Sequence, residues 1–245
     1  MKIFIDLLKF ICNMKHIMCA IYGSTNRNLF DILHDATKDR GSFASSFVFL
    51  EHKKRSAFIL RLKGHPNSMD KLNPEQRFPA CKNKNITHYL GHSQAPTSSQ
   101  REHDVATSHP FVAHNWVVAH NGVLTNYKEI NKKYCAWNKN PVDSSNIPHL
   151  FHALETQTPD KTEVEIICES LSLLEGTFGL WIFNEKTGNI FLARQGSTLF
   201  ANEKGDFCSI QSKNWFELEE GTLYKATNKL EIVGNFKNTS PFFTL

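Results

Sequence analysis

Asp160-Lys161-Thr162-Glu163-Val164-Glu165-Ile166-Ile167-Cys168-Glu169-Ser170-Leu171-Ser172-Leu173-Leu174-Glu175-Gly176-Thr177-Phe178-Gly179-Leu180-Trp181 holds the change of period on which the fold turns. Val164, Ile167, Cys168, Leu171 and Leu174 recur at helical spacing, which predicts a helix over 160–174 with Asp160 capping its start. Beyond Gly176 the text becomes that of short strands. Residues 178–184, 189–194, 207–211 and 222–226 read as a meander punctuated by Gly188, Gly196, Gly205 and Gly221. Working upstream, helices are expected at 125–134 and at 146–154, the latter with Pro148 near its first turn. Strands are expected at 46–51 and 57–62, joined by a charged turn around Lys54, and at 86–92 and 116–120, separated by a long polar loop. Before them come a helix over 28–40, stopped by Gly41, and a short buried strand, Cys19-Ala20-Ile21-Tyr22-Gly23. Strands, then helices, then strands give an α+β layer protein.

The 245 residues suit one compact domain with a sizeable core, and 40% hydrophobic with 21% charged residues is the composition of a folded chain. Lys plus Arg number 28 against 24 Asp plus Glu, a net charge of +4. The basic residues are scattered without a stripe, so no nucleic-acid partner is expected. No stretch approaches the roughly 20 apolar residues that span a bilayer, so no membrane partner is expected either. Cysteines at 12, 19, 81, 135, 168 and 208 form no Cys-x-x-Cys pair, and Cys168 falls in an apolar helical run as a buried free thiol does. A reducing, cytoplasmic setting is expected. No His or Cys cluster has ligand spacing, so neither a metal nor another cofactor is expected.

Polar text concentrates in Gly91-His92-Ser93-Gln94-Ala95-Pro96-Thr97-Ser98-Ser99, His109-Pro110-Phe111 and Ala119-His120-Asn121-Gly122-Val123-Leu124-Thr125-Asn126. Taken one at a time these have bland readings. Asn121-Gly122 is a tight-turn signal, Asp143 a helix cap ahead of Asn146, Cys19 a small buried strand residue, and His92 and His109 hydrogen-bonded structural histidines. Taken in order, with Cys19-Ala20-Ile21 upstream and Val142-Asp143-Ser144-Ser145 downstream, the five motifs resemble the class II glutamine amidotransferases, which are amino-terminal-nucleophile hydrolases. The resemblance runs from Cys19 to about Ala226. It implies a four-layer αββα sandwich: two antiparallel sheets face to face, with helices outside.

The resemblance also implies a chemistry. Cys19 would be nucleophile and, through a free terminal amine with a pKa of about 7.7–8.0, carry its own base. Asn121, by its side chain, and Gly122, by its backbone N–H, would form the oxyanion hole. Asp143 would meet the α-ammonium of L-glutamine, and His109 would shape the pocket. Where the family has Arg, this chain has Gln94, followed by Ala95-Pro96-Thr97. Three arrangements stay open: Gln94 binds the substrate carboxylate with help from Thr97, a cation such as Arg40 or Arg101 substitutes, or the pocket has lost glutamine. Arg194 and Trp181 are read as scaffold.

Residues 1–18 are read as a leader, propeptide or mis-set start, with Met18 as an alternative initiator, and 19–245 as the amidotransferase domain. The expected function is hydrolysis of the glutamine side-chain amide through a Cys19 thioester. The ammonia would pass to an acceptor on a separate synthase or transferase subunit, because the chain stops where the family's glutaminase domain stops. A catalytically silent binding or regulatory subunit of the same fold is the alternative reading.

Overall fold

A computed structural model describes residues 19–37, 40–41, 43–51, 55–63, 86–95 and 104–237. Thr97, Arg101 and residues 1–18 therefore lie outside the described residues. The first sheet runs β11-β9-β10-β1-β4-β2-β3, with β1 at Ala20–Ser24, β2 at Ala44–Glu51, β3 at Ser56–Lys63, β4 at His88–Gln94, β9 at Phe200–Ala201, β10 at Phe207–Cys208 and β11 at Phe216–Glu217. The second runs β13-β12-β8-β7-β6-β5, with β5 at Phe111–Ala113, β6 at Trp116–Leu124, β7 at Gly176–Asn184, β8 at Asn189–Gln195, β12 at Thr222–Lys225 and β13 at Glu231–Asn235. Neighbouring strands within each sheet pair antiparallel.

The alternation of side chains along the strands builds the layers. Ile21, Val48, Leu50 and Leu90 of the first sheet meet Val117, Ala119, Trp181 and Phe183 of the second in one buried cluster. Their neighbours Tyr22, Phe47 and Phe49 point the other way, onto Phe30 and Leu33 of helix α1, Arg27–Thr37. Trp116, Val118, Leu180 and Ile182 likewise turn outward, onto α3 (Asn146–Gln157) and α4 (Glu163–Ser172) through Leu150, Phe151, Ile167 and Leu171. The short α2, Tyr127–Tyr134, adds Ile130 to that outer layer. The result is the αββα sandwich.

Three local expectations are corrected. The strand over 116–120 continues to Leu124, so Asn121 and Gly122 sit inside a ladder opposite Gly179 and Phe178, not in a tight turn. Gly122 has φ +152°, and a Cβ there would run into the Thr177 carbonyl, so the glycine serves close strand approach. Helix α4 starts at Thr162, not Asp160: the Thr162 hydroxyl accepts from Glu165 N–H at 3.3 Å while Thr162 N–H donates to Glu165 Oε2 at 2.8 Å. This capping box satisfies two donors reciprocally, which the upstream Asp160 is too far along the chain to do. The late strands are not one meander either, since β9, β10 and β11 cross to the first sheet and put β10 beside β1.

Candidate active site

Cys19 lies two residues before Ile21 and Asn121 two residues after Ala119. Ile21 and Ala119 are both core residues between the sheets, so the two-residue period carries Cys19 and Asn121 to facing inner surfaces. One residue joins those surfaces. Ser209, following β10, accepts the Ile21 N–H at 3.0 Å and the Asn121 Nδ2–H at 3.2 Å on a single hydroxyl. Its own N–H returns a bond to the Ile21 carbonyl at 2.9 Å. At the head of β1 the Cys19 thiol faces the Ala95 carbonyl at 3.7 Å, and Ala95 N–H points at the sulfur at 3.4 Å.

Arg40 enters from the segment after α1. Its Nη1 donates to the Ser209 carbonyl at 3.1 Å, and Gly41 packs so tightly on the Ser93–Gln94 backbone that a Cβ there would overlap it. Burial pushes the Arg40 pKa down, opposed by the Cys208 and Cys19 sulfurs.

Gln94 is buried at the end of β4, and its amide is turned toward the following loop. Nε2 donates to the Thr107 carbonyl at 3.4 Å, and Oε1 accepts from His109 N–H at 3.4 Å, with His109 Nδ1 also at 3.4 Å. The His109 ring stacks on His92 with centroids 4.0 Å apart, and His92 Nε2–H donates to the His120 carbonyl at 3.1 Å. The two histidines thus form a buried wall joining β4 to β6.

His120 faces outward, toward α3. Its Nε2–H donates to the Thr177 carbonyl at 3.1 Å, so Nδ1 is the acceptor side, 2.7 Å from Ser144 Oγ. Burial pushes its pKa down, opposed by Asp143 and by the Thr177 bond, and the ring stays neutral near pH 7. Asp143 accepts the Leu124 N–H at 2.8 Å on Oδ2, and its Oδ1 lies 3.3 Å from Ser144 Oγ. That fixes the carboxylate two residues along β6 from Gly122. Ser209 thus links the strand that Cys19 heads to Arg40 and Asn121, His92 joins the Gln94–His109 pair to β6, and Asp143 reaches β6 at Leu124. No local signature in Phe207-Cys208-Ser209 marks Ser209, which the sequence reading missed. Among the described residues no group of His, Cys, Asp and Glu could hold a metal ion.

A profile described as a glutamine amidotransferase domain matches residues 99–212. A glutamine–fructose-6-phosphate aminotransferase of Listeria monocytogenes is 23% identical over 220 residues, which cover 88% of this chain and 35% of that protein. A 7-cyano-7-deazaguanine synthase 2 of Sulfurisphaera tokodaii is 23% identical over 213 residues, 86% of this chain and 44% of the relative. The solved glutamine phosphoribosylpyrophosphate amidotransferase from B. subtilis superposes with a TM-score of 0.63 at 16% identity, over 90% of this chain and 49% of that one. Residues 99–212 are thus similar to a glutamine amidotransferase domain. The structural likeness shows the shared αββα sandwich fold. The chain spans less than half the length of these relatives. The profile match includes Asn121, Gly122, Asp143 and Ser209, while Cys19 lies upstream of it. Among the described residues of the domain, no helix is long and apolar enough to cross a membrane.

Proposed function

We propose that the domain hydrolyses the side-chain amide of L-glutamine to glutamate and ammonia, with Cys19 as nucleophile. The observation that carries this reading is the Ser209 hydroxyl, which holds the nucleophile's strand and the Asn121 amide together across the two sheets. Once Cys19 is the first residue, its amine takes the thiol proton, and the thiolate adds to the amide carbon. The oxyanion so formed meets Asn121 Nδ2–H and the Gly122 N–H, preorganised donors of the kind worth about 2.7–4 kcal/mol of barrier each. The amine's proton leaves with the nitrogen as ammonia, giving a γ-glutamyl thioester. Water adds to that ester and releases glutamate and the thiol. Arg40 favours the thiolate. Asp143 takes the α-ammonium. With Gln94 turned toward Thr107 and His109, the α-carboxylate goes to Arg40, and Gln94 and His109 shape the wall behind it.

Ammonia goes on to an acceptor on a separate protein in this reading; the matched relatives are named for enzymes in which the amidotransferase region is only part of the chain. Mass spectrometry of the native amino terminus, with glutamate release from wild type and Cys19→Ala, tests the chemistry. A terminus at Cys19 and activity lost with the thiol are expected. A terminus at Met1 with no glutamate released would instead support the silent subunit of the same fold. Full activity of the isolated chain, with no protein co-purifying, would count against the separate acceptor.

A further inference from the structure

A cavity of about 450 Å³ lies between β3, the Val105–Thr107 turn, β5 and the start of α3, with Arg61, Ser108, Phe111, Val112, Ser145 and His149 in its walls. That volume is in the range of about 300–1,000 Å³ typical of small-molecule sites. Arg61 is half-buried on the inward face of β3, and its hydrogen bond among the described residues runs from Nη2 to the Pro110 carbonyl. Its Nε is buried with no partner. No ion pair to it is formed by the described residues, and burial alone pushes its pKa down. Directly across the ladder, Ser46 also keeps a buried hydroxyl with no partner. Buried cations are ordinarily paired, because an uncompensated charge costs several kcal/mol of desolvation. Arg61 is thus, among the described residues, an unpaired cation in the cavity wall, with a second unsatisfied polar group across the ladder from it.

Several other polar groups of the cavity are committed within the protein, and His149 Nδ1 accepts the Trp137 Nε1–H at 3.1 Å. Ser108 Oγ donates to the Asp104 carbonyl, Ser145 Oγ donates to Val142 O, and Asn138 Nδ2 donates to Ser145 Oγ. Asp104, an acid in the lining, is exposed and caps Ala106 N–H with Oδ1. What remains for a ligand is the Arg61 guanidinium, His149 Nε2 and the apolar faces of Phe111, Val105 and Val112. We propose that this cavity binds a small organic carboxylate with an apolar body, at a site separate from the Cys19 pocket. The Arg61 fork takes the carboxylate, the pairing for which guanidinium geometry is suited, and the apolar walls take the body. A bare inorganic anion would leave those walls unfilled.

Isothermal titration of the full chain with 3-phenylpropionate tests this. Saturable one-to-one binding is expected, weakened about tenfold or more, roughly 1.4 kcal/mol, in Arg61→Gln. Val112→Trp, which fills the cavity from β5 and leaves Arg61 in place, is expected to lose binding as well and decides the matter if Arg61→Gln does not fold. Neither inorganic phosphate at matched ionic strength nor L-glutamine is expected to displace the probe, and Cys19→Ala is expected to bind it like wild type. Absence of saturable binding, wild-type affinity in either folded variant, or equal competition by phosphate would overturn the proposal. Displacement by L-glutamine would move the ligand into the nucleophile's pocket and overturn it too. None of these outcomes depends on whether Cys19 cleaves glutamine.

Discussion

Ser209 accepts two hydrogen bonds on one buried oxygen, from the Ile21 backbone and the Asn121 side chain. Replacing it with alanine leaves both donors buried and unpaired, at about 1–3 kcal/mol each. Asn121 Nδ2 is then free to turn away from the oxyanion position. Ser209→Ala is expected to lower kcat for glutamate release by about tenfold or more with KM little changed, a fraction of what deleting a whole oxyanion donor costs. An equal loss of folded protein and activity, with kcat per folded molecule unchanged, would reduce Ser209 to scaffold. The residues proposed to carry the chemistry are readable as a set, because Cys19, Asn121, Gly122 and Asp143 each stand in a motif. Ser209 is not, since its role comes from where β10 lands beside β1, a placement no local pattern encodes. Gln94 shows the same limit: sequence marks it as a departure, and only the fold shows its amide engaged by Thr107 and His109.

At the scale of elements, α4 shows which signals were legible. Its apolar period was plain, and its start was written in Thr162-Glu163-Val164-Glu165, the spacing of a capping box. Thr162→Ala is expected to cost about 1 kcal/mol in urea unfolding, and Asp160→Ala nothing measurable. Strands of two or three residues such as β5, β9 and β11 escaped because so few positions show no period. Helix α3 carries a different consequence. Its His149 and His152 lie near His114, whose ring stacks on His152 with centroids 3.3 Å apart. Burial, then the neighbouring imidazoles, push both helix histidines down from the usual value. Between the lowered folded pKa and about 6.5, the unfolded chain binds more protons, so stability rises with pH in that window. His120 shifts in the same direction. The stabilisation is present above about pH 6.5 and is lost as pH falls toward the folded values. The urea midpoint is expected to fall on acidification from about pH 7.5 to about pH 5, with a shallower fall in His152→Gln. An identical pH slope in that variant would show that the cluster contributes nothing.

The whole molecule divides the proposed chemistry between two sheets, with Cys19 and Gln94 on the first and Asn121 and Gly122 on the second. Its efficiency then depends on the spacing of the sheets, since a misplacement of about 1 Å can cost roughly a hundredfold in rate. Trp181 fills the space between those sheets. It is fully buried between the layers and donates Nε1–H to the Gly91 carbonyl at 3.3 Å, three residues before Gln94. Ile167, equally buried, packs in the outer layer between α4 and the back of the second sheet. Truncating either to alanine removes a large core side chain, at about 3–5 kcal/mol for Trp181 and about 2–5 kcal/mol for Ile167. The two losses should separate in activity. Trp181→Ala lets the sheets settle toward each other and is expected to lower kcat per folded molecule by about tenfold to a hundredfold. Ile167→Ala opens its cavity away from the site and is expected to leave kcat per folded molecule near wild type, although its urea midpoint falls. Glutamate release normalised to the folded fraction, measured well below both midpoints, distinguishes the two. Equal kcat in both variants would mean that the Ser209 bridge alone holds the nucleophile and the oxyanion donors in register, and that the spacing of the layers is not what the chemistry depends on.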